Sequence, residues 1–411
     1  MSQVQEIKDL KSLLEYSFGK DVDVLSYETK RLTAPGENYG SLMLAVDVKL
    51  KINNTEPITK HLVAKLRPES ELLCTIFNIQ ETFKKELHMY TLSVPALAKL
   101  EEEYGIKDNK VSDMFATCFG GRINLKPGSE IVDEDAVLLL DNLKVSGYDV
   151  GDRLTGFDMD HAELIIKNLA KYHGAFVALK YLKPNVFEEK VYPSIKQVKL
   201  GGDMDTKAIE NFTSEVVEVL EKDDKCILYI EKLLNSMKFH LEGEYRKSAP
   251  ENPFSTAVHT DYWVNNTMLL WDQNGKPIHN KIVDWQMPTY NSGVYDLLFF
   301  IFTSVMPSVL YDNVDHFFKL YYDHFIDCLK QYKLDVSPFS WEAFSNDIKI
   351  IAPIELGHIL CMYKPILTMR GEIKDMASFD EDSISQKLAV TNDYEKRVIK
   401  TALYFINKGW I

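Results

Sequence analysis

Between Val258 and Asp284 the chain reads VHTDYWVNNTMLLWDQNGKPIHNKIVD. This stretch holds two carboxylates and an amide at spacings that suit phosphoryl transfer. Such a site needs one carboxylate to receive the acceptor hydroxyl's proton. It also needs an amide oxygen and a second carboxylate to hold Mg²⁺ against nucleotide phosphates. Asp261 and Asn266 stand five residues apart, and Asp284 follows. Asn274-Gly275 is a two-residue hairpin signal, because both turn positions tolerate φ > 0. A turn centred there pairs residues whose numbers sum to about 549. Asp284 then lies opposite Asn265 and beside Asn266, so two metal ligands meet at the open end of one hairpin. The competing explanation is a surface hairpin with polar residues at its root, since H-x-D is a short motif.

Elements that could position these groups come earlier in the chain. Residues 4–18 place Ile7, Leu10, Leu13, Leu14 and Phe18 at helical spacing. Strands are expected from Val22, over Leu42 to Leu50, and over His61 to Leu66. Between the first two lies Thr33-Ala-Pro-Gly-Glu-Asn-Tyr-Gly-Ser41. Gly36, Asn38 and Gly40 let a backbone turn tightly and bring N–H groups close to phosphate, although most such turns only connect strands. Lys65 sits in Leu-Val-Ala-Lys-Leu, which resembles the strand whose lysine holds the α and β phosphates. A helix over about Gln80 to Tyr104 carries Glu86, the candidate ion-pair partner of Lys65, with Glu81 as the competing choice. Two further strands fit Met114 to Phe119 and Ala136 to Leu140. The second runs into Asp141-Asn142-Leu143, where the Asp141 carbonyl and Leu143 amide are expected to face an adenine ring.

Further on, residues 158–182 read as a helix with a buried stripe, beside which His173 reads as a core histidine. Residues 184–255 read as mostly helical, with Gly201-Gly202-Asp203 as a break. Asp296 lies in the first turn of an apolar helix starting near Val294. It either complements the helix dipole or braces the loop around Asp261 by accepting backbone N–H groups. An aromatic stripe is usually core, but the aromatics of residues 313–332 and 341–369 exceed what one helix face needs, which leaves a bulky apolar acceptor pocket as the alternative. The tail over 372–395 reads as acidic, then helical.

Composition narrows the class. The chain of 411 residues is 45% hydrophobic and 26% charged, enough for a large core in two lobes. Its net charge of −14 disfavours nucleic acid or an anionic membrane as partner. Cys74, Cys118, Cys226, Cys328 and Cys361 are widely spaced with no C-x-x-C pair, which disfavours zinc and a disulfide framework. The first twenty residues have no apolar signal core, and the run Leu297 to Leu310 is too short to span a bilayer. The expectation is a cytoplasmic protein without an obligate protein partner.

Together the pieces resemble the ecdysteroid kinase-like family, within the choline kinase and aminoglycoside phosphotransferase clan. The resemblance rests on Gly36-Glu-Asn-Tyr-Gly-Ser41, Lys65, Phe83-x-x-Glu86-x-x-x-Tyr90, Leu138-Leu-Leu-Asp-Asn-Leu143, Leu169-Ala-Lys-Tyr-His173, His259-x-Asp261-x-Trp263-x-x-Asn266, Asp284-Trp-Gln286 and Tyr295-Asp-Leu-Leu298. It implies an α+β, two-lobed protein kinase-like fold. Residues 1–143 would form a small antiparallel-sheet N-lobe, and residues 144–411 a larger, mostly helical C-lobe. It implies an ATP- and Mg²⁺-dependent phosphotransferase acting on a hydroxyl of a small, lipophilic molecule such as an ecdysteroid.

Carried across, Asp261 is the catalytic base, and Asn266 and Asp284 are the metal ligands. Lys65 holds phosphate and Glu86 orients it. Gly36, Asn38, Tyr39, Gly40 and Ser41 cover the triphosphate, and Asp141 with Leu143 receives the base. Three positions depart from the family's habit: Thr260 replaces a common Gly, Asp141-Asn142 a Glu-Asp pair, and Trp285 a Phe. The alternative is a weak or inactive kinase-fold protein that binds an apolar molecule. A protein kinase is disfavoured by the short path from Asp284 to the Val294 helix, which leaves little room for an activation loop.

Overall fold

The computed structural model describes residues 6–32, 40–53, 55–198, 206–242, 252–369 and 389–411. Helix α1 (Leu10–Phe18) precedes strands β1 (Val22–Arg31), β2 (Leu42–Ile52) and β3 (Ile58–Leu66). Helices α2 (Glu71–Ile76), α3 (Ile79–His88) and α4 (Val94–Glu103) follow, then β4 (Cys118–Arg122) and β5 (Val137–Asp141). These five strands form one antiparallel sheet in the order β1-β2-β3-β5-β4. The period-two pattern of β2 explains its facing, because Leu42, Leu44, Val46, Val48 and Leu50 are all buried. With Leu10, Leu13 and Leu14 of α1 they make a small core of their own.

The larger lobe begins with β6 (Asp149–Val150) and α5 (Met159–Leu182), whose Asp158 cap accepts the His161 N–H. Then come α6 (Thr206–Leu220), α7 (Ile230–Leu241), β7 (Ser255–Val258), β8 (Thr267–Trp271), β9 (Pro277–Ile282) and β10 (Thr289–Ser292). Helices α8 (Val294–Ser304), α9 (Pro307–Gln331), α10 (Trp341–Leu367) and α11 (Tyr394–Asn407) complete it. The result is the two-lobed α+β, protein kinase-like architecture. The two cores do not divide the chain at residue 143, since Ile79, Phe83, Leu97 and Leu100 of α3 and α4 join the large core. Helix α10 is long and apolar enough to cross a membrane, yet 67% of its most apolar window is buried inside the protein.

Two expectations are corrected. The helix over Gln80 to Tyr104 is interrupted by a π-helical turn at Met89–Ser93. Pro95 lies just beyond it, and a wide turn there relieves the missing N–H and the clash of the ring with the previous turn. The strand placed at Met114 to Phe119 instead occupies Cys118–Arg122, and Met114 ends a short 3₁₀ turn. Gly120 of this strand is what lets α1 approach. Gly120 has φ 143°, and a Cβ on it would stand 2.1 Å from the Leu13 carbonyl oxygen. The Gly201-Gly202-Asp203 break and the acidic stretch before residue 389 lie outside the described residues.

The aromatic surplus of α9 and α10 is used for packing. Tyr321 stacks on Phe325 and Phe344 at interplanar angles of 16° and 14°. Phe254 meets Phe325, Phe339 and Phe344 at centroid separations of 5.5–5.6 Å.

Because the backbone contact at Gly120 cannot be relieved by a rotamer change, Gly120→Ala is expected to cost about 3 kcal/mol and loosen α1. Urea denaturation of the two proteins, with proteolysis at the N-terminal helix, measures this. An unchanged midpoint would show that α1 is not held against β4 at this position.

Candidate active site

Lys65, Glu86 and Asp284 come from β3, α3 and the segment after β9, and they converge on one ammonium. Lys65 Nζ lies 2.7 Å from Glu86 Oε2 and donates to Asp284 Oδ1 at 2.6 Å. Lys65 and Glu86 are 3% and 2% exposed, so these charges have left bulk water. Burial alone would lower the lysine's pKa, but the charges of Asp284 and Glu86 outweigh it and hold the ammonium charged. Glu86 is therefore the partner of Lys65. Glu81 instead pairs with Lys196 at 3.0 Å. Glu86 does a second job that its position in the sequence does not reveal: its Oε1 accepts the Trp285 N–H at 3.1 Å. One carboxylate thus fixes both the lysine and the backbone next to Asp284.

The loop holding Asp261 is fixed from below. Asp296 Oδ2 accepts the His259 N–H at 2.6 Å, and its Oδ1 accepts the Thr260 N–H at 2.8 Å. The bracing role is the one observed. His173 supports it, lying between Asp296 (3.1 Å) and Tyr321 (2.8 Å). His259 Nε2 donates to the Val283 carbonyl at 2.9 Å, while its Nδ1 accepts the Asp261 N–H at 3.3 Å. That pair of roles requires a neutral ring, and burial lowers the His259 pKa accordingly.

Asn266 Nδ2 donates to the Asp261 backbone oxygen (2.8 Å) and to Asp261 Oδ2 (2.9 Å). Since a backbone carbonyl oxygen only accepts, the first of these bonds fixes the amide, and its Oδ1 is left for another partner. The Trp263 indole N–H also favours the charged form of the Asp261 carboxyl. Sequence reasoning gave Trp263 no task beyond family likeness. Burial and the charge of Asp284 push the Asp261 pKa up to about 8 against the pull of these two donors.

The hairpin supplies the last convergence. Thr267 pairs with Ile282, Met268 with Lys281 and Leu269 with Asn280. This is the expected register, and the Val283 N–H donates to the Asn266 carbonyl at 3.0 Å, one step before Asp284. The turn itself differs. Asp272 N–H pairs with the Lys276 carbonyl, so three residues form the loop, and a register shift between Leu270 and Trp271 restores the pairing. Asp272 Oδ1 accepts the N–H groups of Asn274 and Lys276, and Gly275 alone takes a positive φ. The side chain of Asp272 thus favours the longer loop over the two-residue turn.

Of the phosphate-covering residues, Gly36, Asn38 and Tyr39 lie outside the described residues. Gly40 is placed: its carbonyl accepts the Gln286 amide at 3.2 Å, and a Cβ on Gly40 would meet Gln286 Oε1 at 2.6 Å. Ser41 is fully buried, with its hydroxyl 3.6 Å from the Met43 sulfur, so here it faces the sheet core. At the junction of the lobes the Asp141 N–H donates to Thr117 and the Asn142 N–H to His61. The Asp141 backbone thereby turns away from β3, and Leu143 follows, buried.

The donor set fits a hard divalent cation. Asn266 Oδ1 and the part-exposed Asp284 carboxylate are oxygen donors of the kind such an ion takes, and they emerge from adjoining strand ends. Among the described residues no group of three or more His, Cys, Asp or Glu forms a cage. Mg²⁺ bound with one or two protein ligands, phosphates and water has no need of one.

The family model for the ecdysteroid kinase-like family matches residues 35–334 of the 411. The chain belongs to that family. No curated protein matches it. Among solved structures, an ethanolamine kinase from Plasmodium vivax is 12% identical, over 98% of this chain and 87% of that one, at a TM-score of 0.38. The spectinomycin phosphotransferase APH(9)-Ia, solved with ADP and spectinomycin, is 12% identical over 86% of this chain and 97% of its own, at 0.38. The aminoglycoside phosphotransferase solved with GDP and kanamycin is 13% identical over 85% and 96%, at 0.34. TM-scores this low leave the family match to carry the assignment.

Within this ecdysteroid kinase-like chain, the unusual Thr260 keeps a glycine-like backbone with φ 74°. A β-branched residue there is strained by about 1–3 kcal/mol. The loop is held in place by Asp296 and by the Thr260 hydroxyl, which lies 3.0 Å from that of Thr289. Thr260→Gly is expected to raise stability by about 1 kcal/mol, whereas Thr260→Val, which keeps the strain and loses the hydroxyl, lowers it. Melting temperatures of the three proteins decide this. A lower melting temperature for the glycine variant would show that the threonine is not strained.

The raised Asp261 pKa has a definite sign in stability. The unfolded carboxyl titrates near pH 4, and the folded one at about 8. The favourable contribution of the neutral acid is complete below about pH 4 and lost as pH rises to about 8. Metal-free wild type should therefore lose stability relative to Asp261→Asn over that window. Parallel pH curves for the two proteins would refute the assignment.

Proposed function

We propose that this chain is an ATP- and Mg²⁺-dependent phosphotransferase that moves the γ-phosphoryl group to a hydroxyl of a small molecule. The observation that carries the reading is the meeting of Lys65, Glu86 and Asp284 on one ammonium, with Asp261 and Asn266 bonded to each other at the adjoining strand end. An ion triad with two buried members beside a raised-pKa carboxylate is costly to build and has the composition of a nucleotide-phosphate site.

The chemistry follows from the chain's own groups. Asp261 is aimed by Asn266 and Trp263 and accepts the acceptor hydroxyl's proton. The acceptor oxygen bonds to the γ-phosphorus as the bond to the β–γ bridging oxygen breaks, leaving ADP. Lys65, kept cationic by Glu86, neutralises phosphate charge. Asn266 Oδ1 and Asp284 would hold the ion, which would supply further charge neutralisation and would offset the Asp284 charge that raises the Asp261 pKa. The Asp141 carbonyl and Leu143 amide receive the adenine ring.

For the acceptor we favour a lipophilic hydroxyl compound, an ecdysteroid first. The family's name supports this choice. The rings of α9 and α10 do not, since they pack on one another.

Asp261→Asn should lower turnover by at least a hundredfold while leaving Mg·ATP affinity nearly unchanged. Asp284→Ala should remove the rise in melting temperature that Mg·ATP gives the wild type. Labelled ATP with a panel of steroid, phenolic and amino-alcohol acceptors reads the first, and a thermal-shift titration reads the second. Full turnover in Asp261→Asn would discard the assigned base. A binding shift in wild type with no acceptor phosphorylated would favour a non-catalytic binder.

A further inference from the structure

Beside the loop that carries Asp261 lies a cavity of about 10 Å³. That is room for one water-sized occupant. Its walls come from Val258 at the end of β7, Thr260 of the loop, Thr289 and Asn291 of β10, Tyr295 of α8, and Glu355 and His358 of α10. No lysine or arginine is among these described residues.

Glu355 is 2% exposed, and its Oε1 accepts from His358 Nδ1 at 2.7 Å. The His358 ring is fixed in turn, stacked on Phe299 at 4.0 Å and on His240 at 4.4 Å. Glu355 Oε2 has no hydrogen-bond partner among the described residues, yet it keeps accessible surface, and the cavity is what it faces. A carboxylate oxygen left without a partner at this depth is costly. Positive charge is short here as well. Burial and the charge of Asp296 push the Glu355 carboxyl up, and His358 alone opposes them. Neutral oxygens complete the lining. The Thr260 and Thr289 hydroxyls lie 3.0 Å apart, so one donates to the other and both oxygens keep a lone pair. Asn291, 4% exposed, accepts the Ser292 N–H on Oδ1 at 2.9 Å, and that oxygen too has a second lone pair.

We propose that this cavity binds one monovalent cation of potassium size, held by Glu355 Oε2, the hydroxyls of Thr260 and Thr289 and the Asn291 amide oxygen. A potassium ion is close to water in size, and one carboxylate among neutral oxygens matches a single positive charge. Mg²⁺ demands octahedral geometry and keeps several waters, for which this cavity has no room. The ion gives Glu355 Oε2 the partner that the fold does not supply. It also ties α10 to Thr260, one residue before Asp261, and so adds a support to the strained loop from the helix side.

The test uses the whole chain without nucleotide or Mg²⁺, so it stands apart from the phosphotransferase reading. Melting temperatures are measured in potassium chloride and in tetramethylammonium chloride at equal ionic strength, the organic cation being too large for the cavity. Potassium should raise the wild-type melting temperature by about 2–4 °C over tetramethylammonium, because an ion that binds only the folded chain stabilises it. Glu355→Gln keeps the acceptor for His358 but removes the charge, and should abolish the difference between the salts. Thr289→Val removes one ligand oxygen without touching the charge, and should weaken potassium by about tenfold. Thallium(I), a potassium mimic seen directly by NMR, should bind wild type and be displaced by potassium. Equal melting in the two salts would leave a water as the occupant and overturn the proposal. A potassium effect unchanged in either variant would overturn it too, as would thallium that fails to bind or that potassium does not displace.

Discussion

An ammonium held between two carboxylates at the meeting of the lobes is the interaction on which the rest depends. Lys65 comes from the middle of the sheet, Glu86 from the helix that joins the large core, and Asp284 from beyond the hairpin. Isolated in a dry interior, none of the three charges would be tolerable. Together they are, provided that β3, α3 and the end of β9 arrive at one point. The sheet order with β3 at its centre, the burial of α3 against the large lobe and the hairpin register all serve that meeting. A folded chain that failed to bring them together would leave at least one charge uncompensated, so site and fold are selected by the same energetics.

A second tier holds Asp261, the proposed proton acceptor. Asp296 uses both carboxylate oxygens on the backbone N–H groups of His259 and Thr260, and His173 and Tyr321 hold Asp296 in turn. None of these residues needs to reach a substrate. Their work is to keep Thr260 in a backbone region it would otherwise leave and to aim Asp261 at its neighbours. The strain at Thr260 is opposed by bonds made elsewhere, which is how constrained loops persist at functional sites.

Much of this was legible in the sequence because pairing arithmetic and helical spacing are local rules. The 549 register put Asp284 near Asn266 without any knowledge of the turn, and the turn turned out to be longer. The error cancelled because a bulge beside Trp271 absorbed the extra residue. Spacing also favoured Glu86 over Glu81, since only residues on the inner face of α3 can meet β3. What stayed hidden depended on tertiary approach. The close approach of α1 at Gly120 is a tertiary contact that no local pattern shows. The aromatic surplus of α9 and α10 left core and pocket both open, because a sequence does not reveal which rings face one another. The tasks of Trp263, Trp285 and Gln286 involve backbone groups and carboxylates up to 246 positions away, and no local pattern encodes such partners.

The bond from Gln286 to Gly40 couples the lobes mechanically. Gly40 begins the run into β2, and Gln286 sits two residues past Asp284, so the small sheet is pinned to the loop after β9 at a point beside the buried ammonium. Rotation of the small lobe away from the large one must stretch this tether and the Lys65–Asp284 contact together. Cleft opening in this protein is thus geared to the same few atoms that would grip a nucleotide.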